Sequence, residues 1–210
     1  MDRKAIGLAM GLAALIAAPA QLAAQACAGS HATHGQGEFG AEVAFTDGAV
    51  GYGLSGRGFT RGPLFVAGGY SRVDYDNTDV DGNELGATLG AELATSSPLS
   101  LCPAASFGYS WFAGLPEGTG LDGISLGGGL GVGRTMGDEL LFTPYGSAAV
   151  VYTRATFSFA GESNSDSDTY GQFAAGFSLG STRFYGGPSV SITTLEGSDP
   201  VFGLSAFAVF

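Results

Sequence analysis

The 210-residue chain carries 19 acidic against 8 basic side chains, and its net charge of -11 argues against nucleic acid as a partner. Its 37 glycines and 13% charged residues would suggest low complexity, but the glycines fall at alternate positions among apolar residues, which is the period of a sheet.

The N-terminus reads as a secretory signal peptide over 1–26: Arg3 and Lys4, an apolar run from Ala5 to Ala18, and a small-residue cleavage site at Ala24-Gln25-Ala26. The run is too short for a membrane-spanning helix, and no later stretch supplies one. Cys27 would open the mature chain. Lipid modification of that cysteine ranks second to a disulfide, because Ala24 stands where the lipidation signal takes Leu. Without residues 1–26 the chain holds 18 acidic residues and six arginines, a net charge of -12. Residues 27–37 carry no period and read as a flexible entry segment containing both histidines, His31 and His34.

Strong alternation begins at Glu38. Phe39, Ala41, Val43 and Phe45 oppose Glu38, Gly40, Glu42 and Ala44, and Asp47-Gly48 closes a tight turn. A second strand carries Val50, Tyr52 and Leu54, with 57–62 read as the following turn; a third, from Leu64 to about Val73, has no assignable face. The fourth and fifth form the clearest pair: Leu85 to Leu93 alternate with Glu84 to Glu92, and Leu99 to Trp111 alternate with Ser100 to Ser110. Further strands are expected over 124–133, 140–154, 170–179 and 183–194, and the tenth is the terminal stretch PVFGLSAFAVF, residues 200–210. Connections at 74–83, 113–123, 157–169 and 195–199 are long. Those at 96–98, 136–138 and 180–182 are short. Short and long connections alternate as in a membrane barrel, and only Asp47-Gly48 breaks the rule.

The terminal strand puts Phe202, Leu204, Ala206, Ala208 and Phe210 on one face and stops on the aromatic. Together with the signal peptide, the alternation and the loop asymmetry, this resembles the small bacterial outer-membrane β-barrels of the OmpA/OmpX type over residues 38–210. The resemblance implies an all-β, antiparallel, up-and-down transmembrane barrel, with ten strands expected and eight the alternative count. It also implies location in the outer membrane, lipid around the wall, and a terminal strand of Phe202, Leu204 and Phe210 read by the barrel-assembly machinery. Tyr109, Trp111, Tyr152, Phe159 and Tyr170 at the external ends, and Leu99, Phe184 and Phe210 at the periplasmic ends, would form its two aromatic girdles. The competing fold is a soluble periplasmic β-sandwich binding protein, its apolar face turned inward.

Candidate chemistry is sparse. Asp74, Asp76, Asp79, Asp81 and Glu84 crowd one connection with hard oxygen ligands, a weak Ca²⁺ candidate beside the plainer reading of a solvated acidic hairpin. His31 and His34 lack a third metal ligand nearby. With no histidine in any expected strand, an enzyme is not expected, and no cofactor is implied. Glu42, Glu92 and Arg183 are expected to face the lumen, with Arg72 or Arg134 as possible partners, and Cys27 is expected to bond Cys102 and pin the N-terminal segment to the barrel. Two roles follow from this: a structural or surface-interaction barrel acting through acidic external loops, or a narrow porin-like channel.

Overall fold

The computed structural model describes residues 27, 29–76, 78–94 and 99–210. The expected signal peptide and the turn at 96–98 lie outside them. The strands are β1 (Gly37–Thr46), β2 (Ala49–Phe59), β3 (Leu64–Tyr75), β4 (Asp81–Ala91), β5 (Leu93–Ala94), β6 (Ser100–Ala113), β7 (Thr119–Gly133), β8 (Leu141–Phe159), β9 (Glu162–Gly180), β10 (Phe184–Thr193) and β11 (Val201–Val209). β5 continues β4 past Glu92, since both pair with β6, so the eleven segments make ten staves. Every neighbour is antiparallel. The sheet closes where β1 meets β11, with Glu38 opposite Val209 and Phe45 opposite Phe202. This is a closed ten-stranded up-and-down barrel, and closure leaves no backbone edge along the wall for lipid to meet.

The two faces of the wall differ as a membrane requires. Phe39, Leu54, Leu89, Leu126, Val150, Phe173 and Ile192 point outward and stay exposed, as do Phe202, Leu204 and Phe210 of the terminal strand. Among the described residues no element covers them. Such a continuous apolar surface is stable only against lipid, so the wall is built to span a bilayer. An arginine at Leu126, midway along β7, is expected to cost about 2–4 kcal/mol in unfolding from lipid vesicles, whereas at inward-facing Ser125 it would escape that cost.

The undecided third strand is settled by Phe65, which is 0% exposed and turns inward, leaving Leu64, Val66 and Tyr70 facing out. At the girdles, Tyr109 and Tyr152 are exposed at the long-loop end and Phe184 at the short-turn end. Tyr170 departs from expectation. It is 3% exposed and faces the lumen, in step with Gln172.

The largest departure in the fold is at 157–169, expected as a long loop. β8 and β9 instead continue as a paired hairpin, with Thr153 opposite Asp168 and Phe159 opposite Glu162, around a two-residue turn at Ala160-Gly161. Both turn residues have positive φ, 50° and 86°, the handedness that matches the twist of a hairpin. On its β9 arm serines take one face and Asn164, Asp166 and Asp168 the other, so no apolar period marks it as strand. β10 reaches only as far as Gln172, and residues 162–170 of β9 keep a strand partner on one side alone.

Candidate functional site

The segment expected to be a flexible entry is packed inside the short-turn end of the barrel. Cys27, Ser30 and His31 are buried, and Cys27 is bonded to Cys102 of β6 with 6.1 Å between Cα atoms. Space for this tail comes from glycines in the wall and in the tail itself. A Cβ on Gly131 of β7 would lie 2.8 Å from the Cβ of Cys27, and one on Gly29 would lie 2.7 Å from the Tyr145 ring. Gly29 also has φ of +78°, which a side chain would strain. Cys27, Cys102, Phe59 and Phe65 form one apolar cluster under the tail, with Ala32 and Ala104 against it.

Beside that cluster lies a polar one built on Glu38, whose side chain is fully buried. Arg57 reaches it from β2 with Nη1 2.8 Å from Oε1, an ion pair held by charge more than by hydrogen-bond alignment. The Ser30 hydroxyl donates to Oε2 at 2.6 Å, and the Tyr185 hydroxyl donates to the same oxygen at 2.5 Å. One carboxylate thus ties the tail, β1, β2 and β10 together. Tyr185 in turn stacks between His31, at 4.5 Å, and Phe207, at 5.2 Å.

His31 is held at both nitrogens. Nδ1 lies 3.1 Å from the Ser181 carbonyl, which only accepts, so that nitrogen carries the proton. Nε2 lies 3.0 Å from Ser178 Oγ, and the same hydroxyl lies 2.5 Å from the Gly29 carbonyl. Ser178 shares its one proton between two acceptors. Burial lowers the imidazole below its ordinary value, outweighing the opposing pull of the Ser181 carbonyl and the Glu38 charge. The sign follows directly: with its value depressed on docking, His31 supports the docked tail fully above about 6.5, and that support drains as pH falls through the lowered value. Amide hydrogen exchange at residues 30–33 is expected to accelerate between neutral and mildly acid pH beyond the change in intrinsic rate, and His31→Gln to abolish the excess.

Of the expected lumen charges, Glu42 lines the lumen, where its carboxyl lies over Gly203, and Glu92 keeps the inward phase, falling between Gly90 opposite Ala104 and Leu93 opposite Leu101. Glu92 sits at the short-turn end in the break between β4 and β5, its amide donating to the Pro63 carbonyl. Arg183 is exposed in the turn before β10, and Arg134 is exposed after β7. Arg72 turns outward and pairs with Asp74 and Asp81, each at 2.8 Å. This pairing also divides the Ca²⁺ candidate: Asp74 and Asp81 are occupied by Arg72, Asp76 and Asp79 stay in the loop region, and Glu84 points into the lumen. Among the described residues no three His, Cys, Asp or Glu side chains gather to hold a metal, and His34 is exposed while His31 is buried.

The buried ion pair joins Glu38 and Arg57, neither of which is among the expected lumen charges. Glu38 alternates in phase with Glu42, and that phase was the available signal for its inward direction. Arg57 is expected in the turn 57–62; the register instead continues β2 through Phe59.

No protein-family model matches the chain, and no curated protein sequence matches it. Solved structures do resemble it. The translocator domain of the autotransporter NalP from Neisseria meningitidis aligns over 83% of this chain and 87% of that one, with 10% identity and a TM-score of 0.50. The N-terminal β-barrel domain of Pseudomonas aeruginosa OprF aligns over 84% and 98%, with 17% identity and a TM-score of 0.43. Ail, the attachment invasion locus protein of Yersinia pestis, aligns over 85% and 100%, with 16% identity and a TM-score of 0.37. The likeness to the translocator domain is one of fold: an outer-membrane type of β-barrel.

Proposed function

We propose that this chain is an integral outer-membrane barrel, closed at its periplasmic mouth by its own N-terminal tail, with a structural or surface-interaction role. The observation that carries this reading is the packed tail, in which Cys27, Ser30 and His31 sit inside the short-turn end of the lumen, bolted to β6 and hydrogen-bonded to β1 and β9. A bore stopped in this way serves transport poorly. What remains available to the medium is the opposite end, where Asp76, Asp79, Glu162, Asp166, Asp168 and Glu196 make an acidic rim around the β8–β9 hairpin. Such a rim suits cationic partners. The terminal strand carries the apolar alternation and final Phe210 by which the barrel-assembly machinery would receive the chain.

The reading is non-enzymatic. Ser178 and His31 do approach each other, but the hydroxyl lies beneath Gly29 and shares its proton with a carbonyl, so no substrate carbonyl reaches it.

Planar-bilayer recording tests the proposal. The oxidised, folded protein is expected to give no steady conductance, and removal of residues 28–36 together with Cys102→Ser to give discrete channel steps. Steady conductance from the intact, oxidised barrel would favour the narrow porin-like channel.

A further inference from the structure

Two lumen carboxylates are seated in the same way. Glu84 of β4 is 2% exposed, and its Oε1 would lie 2.5 Å from a Cβ on Gly108 of β6; Ser125 Oγ of β7 crowds the same point. Across the bore stands Tyr170 of β9, near enough to feel the Glu84 charge. The Tyr170 hydroxyl is buried with no hydrogen-bond partner. Glu42 of β1 repeats the pattern: its Oε1 would lie 2.9 Å from a Cβ on Gly203 of β11, Ser189 Oγ of β10 would lie 2.6 Å from that point, and Tyr145 of β8 faces it. Each seat joins a carboxylate, a serine hydroxyl and a tyrosine hydroxyl above a glycine that leaves room for them.

Among the described residues Glu84 has neither an ion pair nor a hydrogen bond, although it is buried more deeply than most of the wall. An isolated charge in such a place is costly unless a counter-charge joins it or the carboxyl takes up a proton. The neighbouring oxygens are neutral, so the seat carries at most one negative charge. Calcium and magnesium sites collect several carboxylates, and a dication here would leave a charge unmatched in a medium of low dielectric. A single positive charge balances the seat.

We infer that the lumen binds monovalent alkali cations at Glu84, held by its carboxylate and the hydroxyls of Ser125 and Tyr170, with Glu42, Ser189 and Tyr145 forming a second seat of the same kind. Glu84 lies three residues inside β4 from its long-loop end, on the side away from the tail, so an ion reaches it from the external medium. The sites do not depend on whether the barrel conducts.

The test is the heat-induced mobility shift of the folded, full-length mature barrel in a zwitterionic detergent. Midpoints are compared at neutral pH in sodium, potassium and N-methyl-D-glucamine chlorides of equal ionic strength, which holds screening constant. Sodium or potassium is expected to raise the midpoint by about 3–5 °C over the bulky organic cation, with Glu84→Gln losing most of that shift. Equal midpoints in all three salts, or a full alkali shift retained by Glu84→Gln, would overturn the proposal; equal midpoints that rise together on acidification would show that the carboxyl holds a proton instead. If Glu84→Gln yields no folded barrel, Tyr170→Phe decides: a reduced alkali shift supports the site, and an unchanged one removes it.

Discussion

Replacing Arg57 with alanine is expected to destabilise the folded barrel by about 3–5 kcal/mol, because it strands the Glu38 carboxylate in a site closed to water. The side chains of Arg57 and Glu38 are 7% and 0% exposed, so solvent cannot take over the lost role. Two hydroxyls, from Ser30 and Tyr185, would still donate to Glu38, but neither carries charge. The double variant Arg57→Met with Glu38→Gln is expected to recover most of the loss, since a neutral pair needs no counter-charge. Unfolding in urea from lipid vesicles measures both. A cost near that of an exposed surface pair, below about 1 kcal/mol, would mean that water enters the short-turn end and that the tail is not seated as described.

The second large effect is expected from the disulfide. Cys27 and Cys102 are separated by 75 positions in sequence, and a bridge closing a loop of that size constrains the unfolded chain by about 4 kcal/mol on loop-closure entropy. Replacing both cysteines with serine is therefore expected to lower the unfolding free energy by about that amount in the same urea experiment. It should act on the tail more than on the wall: residues 29–36 would become accessible to protease while the β1–β11 seam keeps its register. Since the bond is itself buried, a soluble reductant should act on it slowly unless the tail lifts first.

What could be read from sequence and what could not divides along a physical line. The wall was legible because lipid imposes a period-two rule on every stave, so Leu85 to Leu93 or Phe202 to Phe210 announce both strand and face. The β8–β9 extension was hidden because beyond the bilayer both faces meet water: Ser163, Ser165 and Ser167 alternate with Asn164, Asp166 and Asp168, and neither set marks an inside. The lumen was hidden for a different reason. Glu38 and Glu84 were correctly phased with the inner face, but their partners arrive from staves distant in sequence, and parity within one strand cannot say that Arg57 reaches Glu38 or that Tyr170 stands across from Glu84. The tail was least legible of all. Ser30 and His31 have no period because they answer to three separate strands around them, β1, β9 and β10.

The seam between β1 and β11 imposes an order in time. β11 is the last stave to leave the ribosome, yet it must pair along its length with the first, so no cylinder exists until synthesis has run from one to the other. Cys27, Ser30 and His31, made before β1, end up enclosed. They can be gathered against β6 as soon as that strand is made, while the sheet is still open. Any oxidant that links Cys27 to Cys102 early would fold the first half of the chain around its own stopper, leaving the later staves to be added to a curved sheet whose interior is already filled.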